Sequence, residues 1–437
     1  MFLRPRRFVW LAVTGVFFCC GPSKCGQSPA PLRLVKSEDI AGDAVFKAAL
    51  ASLERSKSIE SSHIGFAAQP SAVYASFEKL RDVASAEQVN ALVMHESPVV
   101  RGYMAGHALS TLDDAKAVYP LLGDTTRVRR VNGCDMGASS IAELVAEELC
   151  QPDVAKPGRH LSLLAGAKDP ALIVATRASV LTCLGKANPT EAFAIAKELA
   201  RSSEPALVVA AISVLGASDQ RTELVAPFAS SDEAGLRQAA ARALYGDFSE
   251  RALAVLEPLL NDDDFYVRTA AYRAYAGHPL RKEARMVTAL EDGKIQRWVA
   301  SDLAELGGER EIALLGPYFD AHPADFDALS RLASKDSEAT TGFMRSVLAR
   351  HPVVLSNGTV TPRALAIRYL TRTRDAQSLP EIRKSLESWD NAELDAAFSA
   401  VAELDDKGAI PFLERLAASK NAIQRERATR ALSQLRP

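Results

Sequence analysis

The sequence predicts an all-α solenoid, and three observations carry that expectation. A short pattern returns about every 30 residues: the run from Arg237 to Leu244 recurs from Arg268 to Tyr275 and from Arg425 to Leu432. Within a copy, Leu236, Ala240, Ala243 and Leu244 repeat at three- and four-residue steps, which places them on one face of a helix. A second apolar stretch lies between copies, as in Leu253–Leu260, Ile312–Phe319 and Ile410–Leu416. Two helices per period describe a stack whose units bury their apolar faces only against their neighbours. With 48% apolar and 6% aromatic residues, the 437-residue chain suits a long core of small side chains.

Along the chain, residues 1–25 read as a signal peptide. Arg4, Arg6 and Arg7 precede an apolar run from Phe8 to Phe18, too short for an ordinary membrane span. The expectation is export to a periplasm or cell envelope. Cys20 is a candidate for lipidation, although the residues before it suit a lipoprotein signal poorly, and a soluble exported protein is the alternative. Residues 26–36, with Pro29 and Pro31, read as a linker. Residues 37–90 form an N-terminal helical cap with helices near Asp43–Arg55 and Val73–Ala84, and the array runs over 91–437.

Two hairpins are expected to interrupt the array, at about 125–140 and 352–361. In the first, Thr126–Val131 reads as a strand and Asn132-Gly133 as its turn. Ser140 and Glu143 then make a capping box for a helix from Ile141 to about Leu149. In the second, Val353–Val360 holds Asn357-Gly358. Successive anchors of the repeat fall at Arg177, Val208, Arg237, Arg268, Arg297, Arg363 and Arg425, with intervals of 31, 29, 31, 29, 66 and 62. The two long intervals each span two units, which places hidden copies near Ser330–Leu332 and Leu394–Ala396. Gly246, Gly277 and Gly307 are expected to end helices in the left-handed region, and Asp232, Asp263 and Asp292 to cap the helices that follow.

Three cysteines lie beyond the signal. Cys183 sits six residues after Arg177, as Ala243 does after Arg237, so it is expected to be a buried, unpaired thiol. Cys134 and Cys150 lie in the irregular insert. They form either a disulfide closing a loop of about 15 residues or two ordinary thiols.

The run Asp263–Ala271, with Val267 and Arg268 at its centre, resembles HEAT repeats of the short bacterial kind related to those of phycobilin lyases. The resemblance covers the array. It implies a right-handed α-α superhelix, most often a protein-interaction scaffold, with a ladder of acids and arginines between repeats. Carried onto this chain, the ladder pairs Asp232 with Arg237, Asp263 with Arg268 and Asp292 with Arg297, and is interrupted at Val208 and near Leu394.

The charge is balanced, 52 basic against 54 acidic residues for a net −2, which argues against a nucleic-acid partner. No metal-ligand spacing, phosphate loop or nucleophile elbow is present, so no catalytic residue, metal or cofactor is assigned. Asn261–Asp264 could attract calcium, but caps are the expected use of its acids. One row stands out. Arg242, Arg273 and Arg368 lie five residues after their anchors and Trp298 one residue after its own, on a helix face away from the alanine core. These four are the candidate binding residues for a protein partner, expected to face the concave side. The competing readings are a solvated face whose arginines pair with Asp247 and Glu250, a lyase-like or accessory subunit acting on a small molecule, and a purely architectural lipoprotein.

Overall fold

The computed structural model describes residues 32–437 apart from 66–67, 112–114, 151–156, 324, 351–360, 389 and 437. The expected signal peptide, most of the linker, Cys20 and the second hairpin lie outside the described residues. The chain divides into two units, 1–195 and 196–437.

In the first unit, α1 (Ala44–Glu54) starts at Asp43, whose carboxylate accepts from the Phe46 N–H at 2.8 Å. The strands β1 (Ser58–Ile64) and β2 (Gln69–Pro70) follow, then α2 (Ala72–Val83), α3 (Ala86–Val93) and α4 (Pro98–Thr111). Next come β3 (Arg127–Gly133), β4 (Asp135–Ser140), α5 (Ile141–Leu149), α6 (Pro157–Lys168), α7 (Val174–Ala187) and α8 (Pro189–Leu199), which crosses into the second unit. Ser140 and Glu143 do form the capping box of α5. The hairpin β3–β4 is not a free-standing insert. It belongs to a four-stranded sheet of order β2-β1-β3-β4, in which β1 runs parallel to β3. The Tyr103 hydroxyl ties this sheet to α4, accepting from the Glu60 N–H at 2.7 Å and donating to the Glu60 carbonyl at 2.8 Å.

Arg101 on α4 is fully buried, and its charge is matched. It pairs with Asp124 at 2.8 Å and donates to the carbonyls of His95 and Glu96, as a buried guanidinium requires.

The expected Cys134–Cys150 bridge is corrected. The disulfide joins Cys150, at the end of α5, to Cys183 on α7, with Cα atoms 5.0 Å apart. Cys183 is indeed buried, but α5 packs against α7 and brings the two sulfurs together. Cys134 sits in the β3–β4 turn, beyond the last paired residues Asn132 and Asp135, and is free and exposed.

The second unit is a stack of helix pairs. One row holds α9 (Pro205–Leu215), α11 (Ala234–Ala243), α13 (Phe265–Ala276), α15 (Gln296–Leu306), α17 (Phe326–Leu332), α19 (Pro362–Arg372), α21 (Asn391–Glu403) and α23 (Ala422–Leu435). The other row holds α10 (Arg221–Val225), α12 (Glu250–Leu259), α14 (Glu283–Glu291), α16 (Glu309–Ala321), α18 (Glu338–Arg350), α20 (Leu379–Ser385) and α22 (Ile410–Ala417). Members of the first row pack on one another, α9 on α11, α11 on α13 and so on, and each of α12, α14, α18, α20 and α22 packs on the helix that follows it. The hidden copies of the pattern are α17 and α21. Three residues after each anchor, Ala211, Ala240, Ala271, Ala300, Ala366, Ala397 and Ala428 are all fully buried. A methyl group there lets adjacent helices approach closely, and bulk would hold them apart.

The ladder differs from the expected pairing. Arg237 pairs not with Asp232 but with Asp262 of the next unit, and donates to the carbonyls of Ser231 and Asp232. Arg268 likewise donates to the carbonyls of Asp262 and Asp263, and Arg297 approaches Asp325 at 3.9 Å. Arg237 thus reaches both the carbonyls before its own helix and an acid of the next unit, while Arg268 keeps the first contact and Arg297 the second. The pairs Arg345–Asp375, Arg363–Glu393 and Arg383–Asp406 repeat this step of 23 to 30 residues. The caps shift too. Asp264, not Asp263, caps α13, and the Asp292 carboxylate accepts from the Lys294 N–H, ahead of α15. Gly246 and Gly307 adopt left-handed φ values of 76° and 64°, whereas Gly277 stays right-handed at −78°.

Candidate functional site

The exposed face of the first row carries the candidate residues. Arg242 on α11 and Arg273 on α13 are exposed and neighbours in space. The guanidinium of Arg242 is held below its ordinary value by desolvation and by the charge of Arg273. Arg273 approaches Asp302 on α15 at 3.6 Å and lies 5.8 Å over the ring of Tyr245. Trp298, 57% exposed, stands one turn before Asp302 on the same helix. Burial pushes the Asp302 carboxyl up to about 6, against the pull of Arg273 and Arg331.

Asp247 is not a partner of Arg242. It accepts from the Thr222 hydroxyl at 2.5 Å and from the Ser249 N–H at 3.0 Å. Among the described residues neither the Arg242 nor the Arg368 side chain has a hydrogen bond or ion pair, while Arg331 and Arg430 on the same face are paired with acids. The structure therefore brings Arg242, Arg273, Trp298 and Asp302 together across α11, α13 and α15. Arg368 stands apart on α19, beyond α17 with its own Asp327–Arg331 pair. Sequence reasoning missed Tyr245, which is 53% exposed and three residues after Arg242. Its helical spacing was the available signal.

A second candidate lies in the first unit. A cleft of about 440 Å³ is lined by Glu54, Lys57, Glu96, Val99, Arg127 and Arg129, among others. Behind it, Ser37, Glu54 and His95 meet: the Ser37 hydroxyl donates to Glu54, and His95 Nε2 lies 2.8 Å from Ser37 Oγ. The composition is that of a hydrolytic triad, but the protons run the wrong way. The Ser97 N–H donates to His95 Nδ1 at 3.0 Å, so the neutral ring carries its hydrogen on Nε2 and cannot take the serine proton. Burial lowers the His95 value. His278, also buried, shares the arrangement: Nδ1 accepts from the Leu280 N–H, and Nε2 faces the Ser249 carbonyl. Of the acids in Asn261–Asp264, Asp262 is engaged by Arg237 and Asp264 by the α13 cap. No cluster of three or more metal-binding side chains occurs among the described residues. No helix among them is long and apolar enough to cross a membrane.

No protein-family model matches the chain, and no curated protein does. Among solved structures, an engineered protein is 18% identical over 80% of this chain and 99% of its own, with a TM-score of 0.31. Human deoxyhypusine hydroxylase in complex with glycerol is 14% identical over 63% of this chain and 95% of its own, at 0.26. Kap95p, from a complex with RanGDP, is 12% identical over 83% of this chain and 48% of its own, at 0.34. Likenesses this distant carry no functional argument, and the repeat architecture rests on the helix rows themselves.

Proposed function

We propose that the chain is an exported, HEAT-type right-handed solenoid that binds a protein partner through the first-row face of its second unit. The observation that supports this most is the group of Arg242, Arg273, Tyr245 and Trp298. It places exposed cations, one of them unpaired, beside exposed aromatic rings, and arginine and tryptophan dominate the energetics of protein interfaces. On this reading the action is presentation of a surface without turnover. The Cys150–Cys183 disulfide favours export, because such bonds persist in oxidising compartments.

The test is capture of partners from envelope extracts by the C-terminally tagged chain, comparing wild type with an Arg242→Glu, Arg273→Glu, Arg368→Glu variant. A protein held by the wild type and lost by the variant supports the face. A partner that survives moves the site elsewhere on the chain. The cleft beside Glu54 and Arg127 favours one other reading, an accessory subunit holding a small charged molecule. Capture of no protein at all would turn attention there.

A further inference from the structure

The charges on the first-row face are ordered, and the order restricts what can lie on it. From α11 to α15 come two cations, Arg242 and Arg273, then Trp298 with Asp302, and α17 adds Asp327 beside Arg331. Arg242 lacks an acid. Arg273 has only a loose one at 3.6 Å, with its own side chain 64% exposed, so releasing that contact costs little. Asp302 in turn is a desolvated carboxylate whose ion-pair partner is that same Arg273, with Arg331 acting on it from farther off.

We infer that the occupant is an extended peptide segment with a carboxylate bridging Arg242 and Arg273 and a lysine or arginine stacked on Trp298 and paired with Asp302. This rests on the scaffold reading and specifies its partner. The exchange conserves charge: the ligand's acid replaces Asp302 at Arg273 and relieves the repulsion between the two guanidiniums, and its base replaces Arg273 at Asp302. An exposed indole one turn from a carboxylate suits a cation, which gains from the ring face as well as from the acid. Adjacent helices pack about 8–10 Å apart and an extended chain advances about 3.3 Å per residue, so acid and base stand about four residues apart. A uniformly acidic segment would meet Asp302 and Asp327, and a uniformly basic one would meet Arg242 and Arg273. The order of charges excludes both as well as a polyphosphate chain.

The test uses the full chain and four fluorescein-labelled peptides in a Gly/Ser background, read by anisotropy. One carries an acidic pair and, four residues on, a basic pair; one has the reverse order; one is acidic only and one basic only. The expected result is that at least one mixed peptide binds about tenfold tighter than either single-sign peptide. Arg242→Glu with Arg273→Glu should remove that binding, and Asp302→Lys should shift preference to the acidic peptide. Circular dichroism melts confirm that the variants fold. If the acidic peptide binds wild type as well as the mixed ones and the arginine variant still loses it, the charge code is wrong and the face stands. If peptides bind and no variant changes anything, the face itself is wrong. Absence of binding by all four overturns the code, and extract capture then decides the scaffold reading separately.

Discussion

Arg237 grips Asp262 with both arms of its guanidinium, Nε to one carboxylate oxygen at 2.7 Å and a terminal nitrogen to the other at 2.9 Å, across 25 residues of chain. The same group holds two carbonyls at the start of its own helix. One side chain thus fastens a helix start to the next unit, where a repeat stack has no long-range contacts to spare. The geometry is bidentate and the side chains are only 19% and 9% exposed, so the pair is worth more than a surface ion pair.

Asp262→Ala should therefore lower stability by about 1–3 kcal/mol, since it leaves a half-buried guanidinium short of an acceptor. Arg251→Ala, which breaks the pair with Glu223 at 75% and 64% exposure, should cost within about 1 kcal/mol. Urea midpoints of the two variants separate the cases. Equal shifts would mean the ladder adds nothing beyond surface pairing.

The ladder also fixes the response to acid. Hydrogen bonding from Arg237 holds the Asp262 carboxyl below its ordinary value, and Arg345 does the same for Asp375. A depressed folded value means that the contribution is present above the unfolded value, near pH 4, and lost as pH falls through the lower folded one. Stability should drop steeply below about pH 4, and Asp262→Asn should flatten that slope. Melting temperatures measured from pH 5 down to pH 2.5 provide the check.

Close packing at the anchor-plus-three alanines leads to a different expectation. Ala271 has no exposed surface, and its helix packs against both α11 and α15. Ala271→Leu adds volume where none is free and should destabilise by about 1–3 kcal/mol, although leucine is itself a strong helix former. The same substitution at exposed Thr429 of α23 should have little effect.

The repeat was readable because most units state it twice, in an arginine that needs carbonyls and in an alanine that needs a close neighbour. Even the copies without the arginine, α17 and α21, could be placed from period alone. What failed was anything decided by a partner distant in sequence. The strand β1, reading Ser-Ile-Glu-Ser-Ser-His-Ile, has no apolar alternation, and it is a strand because β3 supplies a parallel backbone edge. Cys134 and Cys150 are near in sequence, yet the hairpin carries Cys134 outward while α7 delivers Cys183 to Cys150. At the candidate site the arginine row was visible in the spacing. The part played by Asp302 was not, since its desolvation comes from the helices around it.

Asp302 should show its environment as a pH dependence of the opposite sign to the ladder acids. Its folded value, about 6, lies above the unfolded one, so the native state holds the proton more tightly. Its contribution falls as pH rises from about 4 to 6 and stays unfavourable above. Asp302→Asn should then raise stability at pH 7.5 by on the order of 2 kcal/mol and leave it nearly unchanged at pH 4. Loss of stability at pH 7.5 would show instead that the pairing with Arg273 outweighs desolvation.

The disulfide gives the last expectation. Cys150 and Cys183 are 33 residues apart, and a loop of that size constrains the unfolded chain by about 3–4 kcal/mol in the chain-entropy model. Reduction should lower the melting temperature of the first unit, which holds the bridge. A Cys134→Ala variant should melt like the wild type under oxidising conditions, because that thiol stands exposed in a turn. Peptide mapping without reductant decides the pairing directly: a fragment linking Cys150 to Cys183 is expected. One linking Cys134 to Cys150 would show that the hairpin folds back onto the end of α5 and that α5 and α7 are held by packing alone.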